Sequence, residues 1–345
     1  MTIDRTRPDV GDGRNLDQSL AEVSAEGAQQ RAPERPPSEG GVDYTVWSGS
    51  ADPSDTTYYD RPTIKKPVWI WAVPAYMVVG GAAGGAAALG AAARAIDGDQ
   101  LSGLIKRCRV ISAMGLGIGG ILLVYDLGRP GRFLNMLRVF RPTSPLNVGS
   151  WLLAAATPAA AVAACSNGTI ADLAGMWSGA MGLPITGYPG VLLANTAVPV
   201  WEEMGSALPA SFVASGAVSA ASALELMELR EREASVVRAF AVAAKVSEAI
   251  TTAVVEKRAR RVREVGKALD APRPKALLKA ARAAAMTAAL LSLTSRRSGT
   301  VRRLAGIAGT IGAAAYKFGV FYAGDPSATD PRATFALQRQ GRRTR

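Results

Sequence analysis

The sequence predicts an all-α protein: a polytopic transmembrane helical bundle of about eight helices, preceded by a disordered N-terminal tail. Hydrophobic residues make up 48% of the 345 residues, and they arrive in blocks of about twenty, the length that crosses a bilayer core. Basic residues cluster between these blocks, as they do in the loops that orient membrane proteins. Strings of glycine and alanine, such as GGAAGGAAALGAAA at 80–93, let helices pack closely within a bilayer.

The apolar blocks divide the chain into three regions. Residues 1–62 carry 6 Lys or Arg against 12 Asp or Glu, and they hold too few apolar side chains to fold alone. We therefore predict a disordered acidic tail at 1–62, a transmembrane helical domain at 63–324 and a basic C-terminal tail at 325–345. The predicted membrane segments are residues 68–93, 108–126, 147–165, 180–201, 208–228, 234–255, 275–294 and 301–323.

Composition excludes several classes of function. The net charge of +12 is spread over loops between apolar blocks, which argues against a nucleic-acid partner. The chain has no histidine, so the usual axial ligands of a haem between membrane helices are missing. Cys108 and Cys165 stand far apart and outside any CxxC pattern, so we expect no iron–sulfur cluster in this chain. Any metal centre would belong to a partner.

The distribution of Lys and Arg among the loops predicts the orientation. The inner loops would hold the arginine cluster at 129–141, the basic run at 257–267 and the C-terminus. The outer loops would hold 166–175, 228–233 and 296–303, of which the last is basic, and the inner side has about twice as many Lys and Arg. This arrangement places both termini in the cytoplasm. The first residues lack an apolar stretch, so we expect an uncleaved signal anchor in the first membrane segment. Both cysteines would then lie near the outer face, either as two buried thiols or as a disulfide.

The loop between the second and third segments is unusually rich in charges and helix breakers. At 126–151 it reads DLGRPGRFLNMLRVFRPTSPLNVGSW, with four arginines and three prolines. Together with TYYDRPTIKKPVW (57–69), PAYMVVGGAAGG (74–85), GYPGVLLANTAVPVW (187–201) and FYAGDPSATDPR (321–332), this loop resembles the NrfD/PsrC family of polysulfide-reductase-like membrane subunits.

The resemblance implies a multi-pass subunit in the plasma membrane of a prokaryote that binds menaquinone or another quinone. It would exchange electrons with an iron–sulfur partner subunit, next to a molybdopterin catalytic subunit. From the residues alone, two other classes stay open. One is a secondary transporter or proton channel, for which broken helices and intramembrane charges are also typical, although no internal repeat is visible. The other is a structural anchor of a redox complex.

A quinone site needs an apolar slot, a hydrogen-bond donor for each carbonyl oxygen and a path for protons, so polar side chains at membrane depth are the candidates. Tyr188 and Asn195 lie seven residues apart on one face of the fourth segment. The resemblance implies that Tyr188 contacts the quinone near the outer face; the alternative is an interfacial tyrosine. Tyr76 is followed by two glycines that a flat ring could approach. The predicted cofactor-binding residues are Tyr188, Asn195, Tyr76, Gly80, Gly81, Arg129 and Asn147.

Three acids are the predicted catalytic, proton-handling residues. Asp126 ends the second segment, and Arg129 can pair with it at a spacing of three residues. A structural ion pair and a proton-conducting group near the cytoplasm both remain open for Asp126. Glu248 shares a helical face with Lys245, so we expect these two side chains to form a buried pair, with a relay role open.

The third acid, Glu202, occupies a position where the chain departs from the family pattern. Family members often have a histidine after the tryptophan that ends helix four and an acid early in helix one. Here those positions hold Glu202 and Ala72 or Val73. Either Glu202 replaces the histidine in proton transfer, or the protein is an anchor that has lost quinone chemistry. Lys317, in the eighth segment, is expected to extend its amine toward the membrane surface.

Overall fold

The computed structural model describes residues 62–128, 131–294 and 298–343, together with three short strands nearer the N-terminus. The chain separates into two compact units, Met1–Arg61 and Pro62–Arg345. The second unit contains all the predicted membrane segments and, as described below, the candidate site.

The described residues of the first unit form a small antiparallel sheet in the order β1-β2-β3. Its strands are three or four residues long, which is the short end of the range for strands. We did not predict this sheet, and the rest of the predicted disordered tail lies outside the described residues. The strands are β1 (Asn15–Asp17), β2 (Glu22–Ala25) and β3 (Ala28–Gln30).

The described part of the second unit is helical, which confirms the predicted all-α membrane domain. Eight of its helices are 19 to 29 residues long, and shorter helices connect them. In chain order the helices are α1 (Ala72–Asp97), α2 (Ser102–Asp126), α3 (Gly131–Met136), α4 (Pro145–Cys165), α5 (Gly168–Ala194), α6 (Pro199–Met204), α7 (Ala207–Glu225), α8 (Glu231–Ala259), α9 (Arg263–Gly266), α10 (Pro272–Thr294), α11 (Gly299–Tyr322), α12 (Gly324–Thr329) and α13 (Pro331–Arg343). A 3₁₀ turn, Lys267–Asp270, precedes α10.

Each of the eight predicted segments corresponds to one long helix. Within the described residues, six of these helices are long and apolar enough to cross a membrane: α1, α2, α4, α7, α10 and α11 with its extension to Thr329. The helices α5 and α8 have the length but are not in this group: α5 contains several glycines and two internal prolines, whereas α8 is rich in charged residues and buries Glu233, Lys245 and Glu248.

The predicted boundaries of the fourth segment are wrong at both ends. Residues 166–175 were predicted as an outer loop, but α5 begins at Gly168, whose φ of 63° makes the tight connection from α4 possible. The helix then continues through Pro184 and Pro189 and ends at Ala194. Pro199 starts the separate helix α6, at a position where the missing N–H of proline leaves no helical hydrogen bond unmade.

The glycines of α1 form the contacts between helices that the composition predicts. A Cβ atom on Gly84 would lie 2.5 Å from the carbonyl oxygen of Gly182 in α5. A Cβ atom on Gly85 would lie 2.9 Å from the carbonyl oxygen of Gly216 in α7. Only glycine allows the three backbones to approach this closely, and α1 is accordingly more buried than α2 or α4.

Most of the predicted basic tail at 325–345 lies in α12 and α13, and both helices contact α6. The indole nitrogen of Trp201 donates a hydrogen bond to the carbonyl oxygen of Val320, at 2.8 Å. The backbone N–H of Val200 donates to the hydroxyl of Ser327, at 2.9 Å. The FYAGDPSATDPR motif therefore joins the end of α11 to α6, which gives it a structural role that the sequence did not reveal.

Candidate functional site

A cavity of about 110 Å³ lies where α1, α2, α4 and α5 meet at one end of the bundle. Its wall is mainly apolar, and the polar side chains on it are those of Tyr76, Asp126, Ser150 and Tyr188. Three of these four residues were predicted as site residues from separate stretches of the sequence. The short helix α3 contributes Phe133 to the same wall.

Tyr188 is held in position by Gly149 on the facing helix α4. A Cβ atom on Gly149 would overlap the Cζ, Cε1 and Cε2 atoms of the Tyr188 ring, so the ring lies directly against the glycine backbone. Sequence reasoning did not select Gly149 or Ser150. The signal was present, since both belong to the NVGSW end of the charged loop motif.

Tyr76 enters the cavity from α1 and is almost fully buried. Its ring packs against two glycines: a Cβ atom would lie 2.9 Å from the ring on Gly119 and 3.0 Å from it on Gly80. Gly80 thus makes room for Tyr76 and does not line the cavity. Gly81 faces α7 and α11 instead, where a Cβ atom would lie 2.6 Å from the amine of Lys317 and 3.2 Å from Gly216.

Asp126 joins the end of α2 to the start of α1. Its carboxylate oxygen Oδ1 accepts a hydrogen bond of 3.0 Å from the backbone N–H of Ile70. The side chain also lines the cavity, so one oxygen has a structural role while the residue remains in contact with the site. The predicted partner, Arg129, lies outside the described residues.

Asn147 and Asn195 lie outside the cavity wall. The amide of Asn147 donates to the carbonyl oxygens of Met136 and Val139, at 2.7 and 2.9 Å, and accepts from the N–H of Arg141 at 2.6 Å. Asn147 therefore holds the charged loop together. The exposed Asn195 donates to the carbonyl oxygen of Val191 in its own helix, at 2.8 Å.

The three predicted acids do not share one site. Asp126 lines the cavity, whereas Glu202 is exposed in the first turn of α6. Glu248 is buried on α8 and lines a different cavity, together with Tyr316 of α11. Of the predicted site residues, Tyr76, Asp126 and Tyr188 therefore line one cavity. Glu202 and Glu248 lie outside it.

The predicted Glu248–Lys245 pair is wrong, because Lys245 pairs with Glu225 at the end of α7. The amine of Lys245 lies 2.8 Å from Oε2 of Glu225 and donates to the hydroxyl of Ser292, at 2.6 Å. The same hydroxyl donates to Oε1 of Glu225, at 2.7 Å. This triad joins α7, α8 and α10 within the bundle, and only the fold brings its members together.

The predicted position of Lys317 is also wrong. Its side chain is 1% exposed, and its amine has no hydrogen-bond partner among the described residues. Lys317 lies against Gly81 and is electrostatically coupled to Glu248. The helices that pack around Gly81 enclose the Lys317 side chain, so its amine stays inside the bundle and does not reach the membrane surface.

Two expectations about orientation are incompatible with each other. Tyr188 shares a cavity with Trp69, which precedes α1, and with Asp126, which ends α2. If both termini are cytoplasmic, Tyr188 lies in the cytoplasmic half and not near the outer face.

Cys165 lies at the opposite end of α4 from the cavity. Both cysteines are free; burial is confirmed for Cys108 and wrong for Cys165, which is exposed.

A comparison with protein families gives one match. The family model described as "Polysulphide reductase, NrfD" matches residues 62–250, which is more than half of the chain and includes every helix around the Tyr76–Tyr188 cavity. A comparison with curated proteins found no match. The chain therefore belongs to the NrfD family and is a multi-pass membrane subunit.

Proposed function

We propose that this subunit binds a quinone or quinol in the Tyr76–Tyr188 cavity and exchanges electrons with an iron–sulfur partner subunit. The observation that carries the proposal is the convergence of two tyrosines and one aspartate on the wall of a mainly apolar cavity. Menaquinone is the quinone implied by the family resemblance, and a molybdopterin subunit would be the further partner.

The residues of the cavity match the needs of a quinone head group. Tyr188 and Tyr76 each supply a hydroxyl that can donate a hydrogen bond to a carbonyl oxygen. Apolar side chains, among them Leu153 and Met77, supply the surface for the ring. Oxidation of a quinol sends two electrons to the iron–sulfur partner and releases two protons. Asp126 at the end of α2 is the carboxylate on the wall, and it can accept the first proton, pass it to water and then accept the second.

The size of the cavity predicts that binding moves side chains. Sites for drug-sized ligands usually measure about 300–1,000 Å³, whereas this cavity measures about 110 Å³. Met136 on the short helix α3 lines the wall, and methionine is the side chain that adapts most readily to a new neighbour. We therefore expect the α3 side of the cavity to open when a ring enters.

The other predicted site residues that the structure describes do not line the cavity, so we propose indirect roles for them. Asn147 and Arg129 belong to the charged loop, which we propose shapes the cavity end of the bundle. We keep the proposal that both termini are cytoplasmic, and it places the quinone site in the cytoplasmic half. Glu202 and Asn195 would contact quinone only if the surface near α6 rearranged.

A turnover assay tests the proposal. The subunit would be purified with its partner, and quinol oxidation compared between wild type and Tyr188→Phe, which removes one hydroxyl. We expect turnover to fall about tenfold or more with assembly unchanged, since a lost hydrogen bond and poorer ring placement together cost at least about 1.4 kcal/mol. Tyr125→Phe is the control, because Tyr125 is exposed and packs on Trp71 outside the cavity.

Turnover by Tyr188→Phe equal to that of wild type would remove Tyr188 from the site. If neither variant nor wild type oxidised quinol in the assembled complex, the protein would be the structural anchor considered from the sequence.

A further inference from the structure

A second and larger cavity lies between α8, α10 and α11. It measures about 330 Å³, three times the volume of the Tyr76–Tyr188 cavity, and reaches the size typical of small-molecule sites. The helices α10 and α11 lie beyond residues 62–250, so this cavity is mostly outside the stretch that matches the family model.

The mouth of this cavity opens among exposed apolar side chains. Val246 on α8 and Met286 on α10 line the cavity and are 52% and 68% exposed. The helix α10 is one of the helices apolar enough to cross a membrane, and an exposed apolar side chain on such a helix contacts lipid. A molecule that enters between α8 and α10 therefore comes from the bilayer and must itself be soluble in lipid.

Glu248 supplies a buried hydrogen-bond acceptor beside the cavity. Its side chain is 4% exposed, and its Oε1 atom has no hydrogen-bond partner among the described residues. A buried polar atom without a partner costs about 1–3 kcal/mol, and more when the group is charged. The hydroxyl of Ser215 and the charges of Lys317 and Lys245 act on the Glu248 carboxylate. Among the described residues neither lysine forms an ion pair with it, and Lys245 is bound to Glu225.

Three other polar side chains of the wall already have partners. The hydroxyl of Tyr316 and that of Ser211 share a hydrogen bond of 2.8 Å. Glu256 and Arg282 form an ion pair at 2.7 Å. Oε1 of Glu248 is a buried acceptor without a hydrogen-bond partner among the described residues, and alanines of α8 and α10 line the cavity beside it. A ligand that fits has one hydrogen-bond donor and an otherwise apolar body.

We propose that this cavity binds a lipid-soluble hydroxyl compound, whose hydroxyl group donates a hydrogen bond to Oε1 of Glu248. Two membrane components have this chemistry: a quinol and a lipid with free glycerol hydroxyls. The site is independent of the Tyr76–Tyr188 cavity, because the two cavities have no lining residue in common. Its failure would not affect the proposed function.

Photolabelling of the purified full-length protein tests this proposal with three probes. The first is a short-chain hydroquinone that carries a diazirine. The second is its dimethyl ether, which has the same shape and no donor. The third is a monoacylglycerol that carries the same diazirine. We expect the hydroquinone, the monoacylglycerol or both to label peptides of α8 and α10 at the cavity, and the ether to label them at least about tenfold less.

Two variants and one control locate the labelled site. Glu248→Gln keeps the size of the side chain but replaces the carboxylate with a weaker acceptor, and we expect about a tenfold loss of labelling. Ala289→Phe fills the cavity from α10 without touching the carboxylate, and we expect a similar loss. Leu290→Phe is the matched control, since Leu290 is the next residue, lies outside the lining and is 64% exposed.

Labelling by only one of the hydroxyl probes would identify the source of the ligand and support the proposal. Equal labelling by the dimethyl ether would overturn it, because the hydroxyl would then be unnecessary. Labelling that survives both Glu248→Gln and Ala289→Phe would also overturn it, as would a cavity that none of the probes labels. If Glu248→Gln failed to fold, Ala289→Phe and the ether would still decide the outcome.

Discussion

The contact between Gly149 and the ring of Tyr188 gives the sharpest test of the candidate site. In Gly149→Ala the new methyl group would overlap three atoms of the ring. Non-bonded carbon atoms pack about 3.5–4.0 Å apart, so the ring must move by more than about 1 Å. Because the ring forms part of the cavity wall, this movement either fills the cavity or turns the hydroxyl away from it.

The expected effect is larger on quinone binding than on folding. Overpacking of a buried contact costs about 1–3 kcal/mol of stability. Misplacement of the Tyr188 hydroxyl removes a hydrogen bond worth about 0.5–1.5 kcal/mol, and a blocked slot excludes the ring as well. We therefore expect quinone affinity to fall by about tenfold or more, which corresponds to about 1.4 kcal/mol.

The assay is titration of the purified protein with a quinone analogue, combined with thermal unfolding in detergent. Gly117→Ala is the matched control, since Gly117 lies inside α2 and has open space where a Cβ atom would be. That substitution should leave binding unchanged and raise stability slightly, because alanine is the better helix former. Equal affinity of Gly149→Ala and Gly117→Ala for the analogue would refute the placement of the quinone against Tyr188.

Three further predictions concern regions outside the cavity. In intact cells a membrane-impermeant maleimide should label the exposed Cys165 and not the buried Cys108; labelling of Cys165 only after permeabilisation would mean that the termini lie outside. Asn147→Ala should lower the free energy of unfolding by about 1–3 kcal/mol, measured by denaturation, because three hydrogen bonds are lost; weaker quinone binding with unchanged stability would instead support its predicted role in the cofactor site. Arg260 holds the pKa of Asp270 below its usual range through hydrogen bonds of 2.9 and 3.0 Å, so the pair should add about 0.2–1 kcal/mol near pH 7. This contribution should disappear as the pH falls through the lowered pKa, and Asp270→Asn should remove the pH-dependent difference in unfolding temperature.

The sequence predicted that the protein is a membrane protein, and it predicted the helices that surround the cavity. Apolar blocks of about twenty residues predicted eight long helices, because that length crosses a bilayer. Tyr76, Asp126 and Tyr188 were each selected because a polar side chain in an apolar block is costly unless it has a task. These arguments need only the order of residues within one segment, and they hold whichever helices are neighbours.

Partners across helices could not be predicted in this way. Lys245 lies three residues from Glu248 on one helix, which predicted that pair, yet Glu225 of α7 reaches Lys245 from another part of the chain. Gly149 belongs to the charged loop motif, but only the fold showed that the ring of Tyr188 lies against it. Lys317 was expected to reach the surface, and the close approach of α1 and α7 covers it instead.

The sequence by itself determined that the chain crosses a membrane as helices and which polar groups lie within them, because hydrophobicity and period are properties of local order. The tertiary structure alone decided which of those groups meet. Helix packing depends on where small residues allow two backbones to come into contact. These contacts determine where the Tyr76–Tyr188 cavity and the separate cavity at Glu248 form.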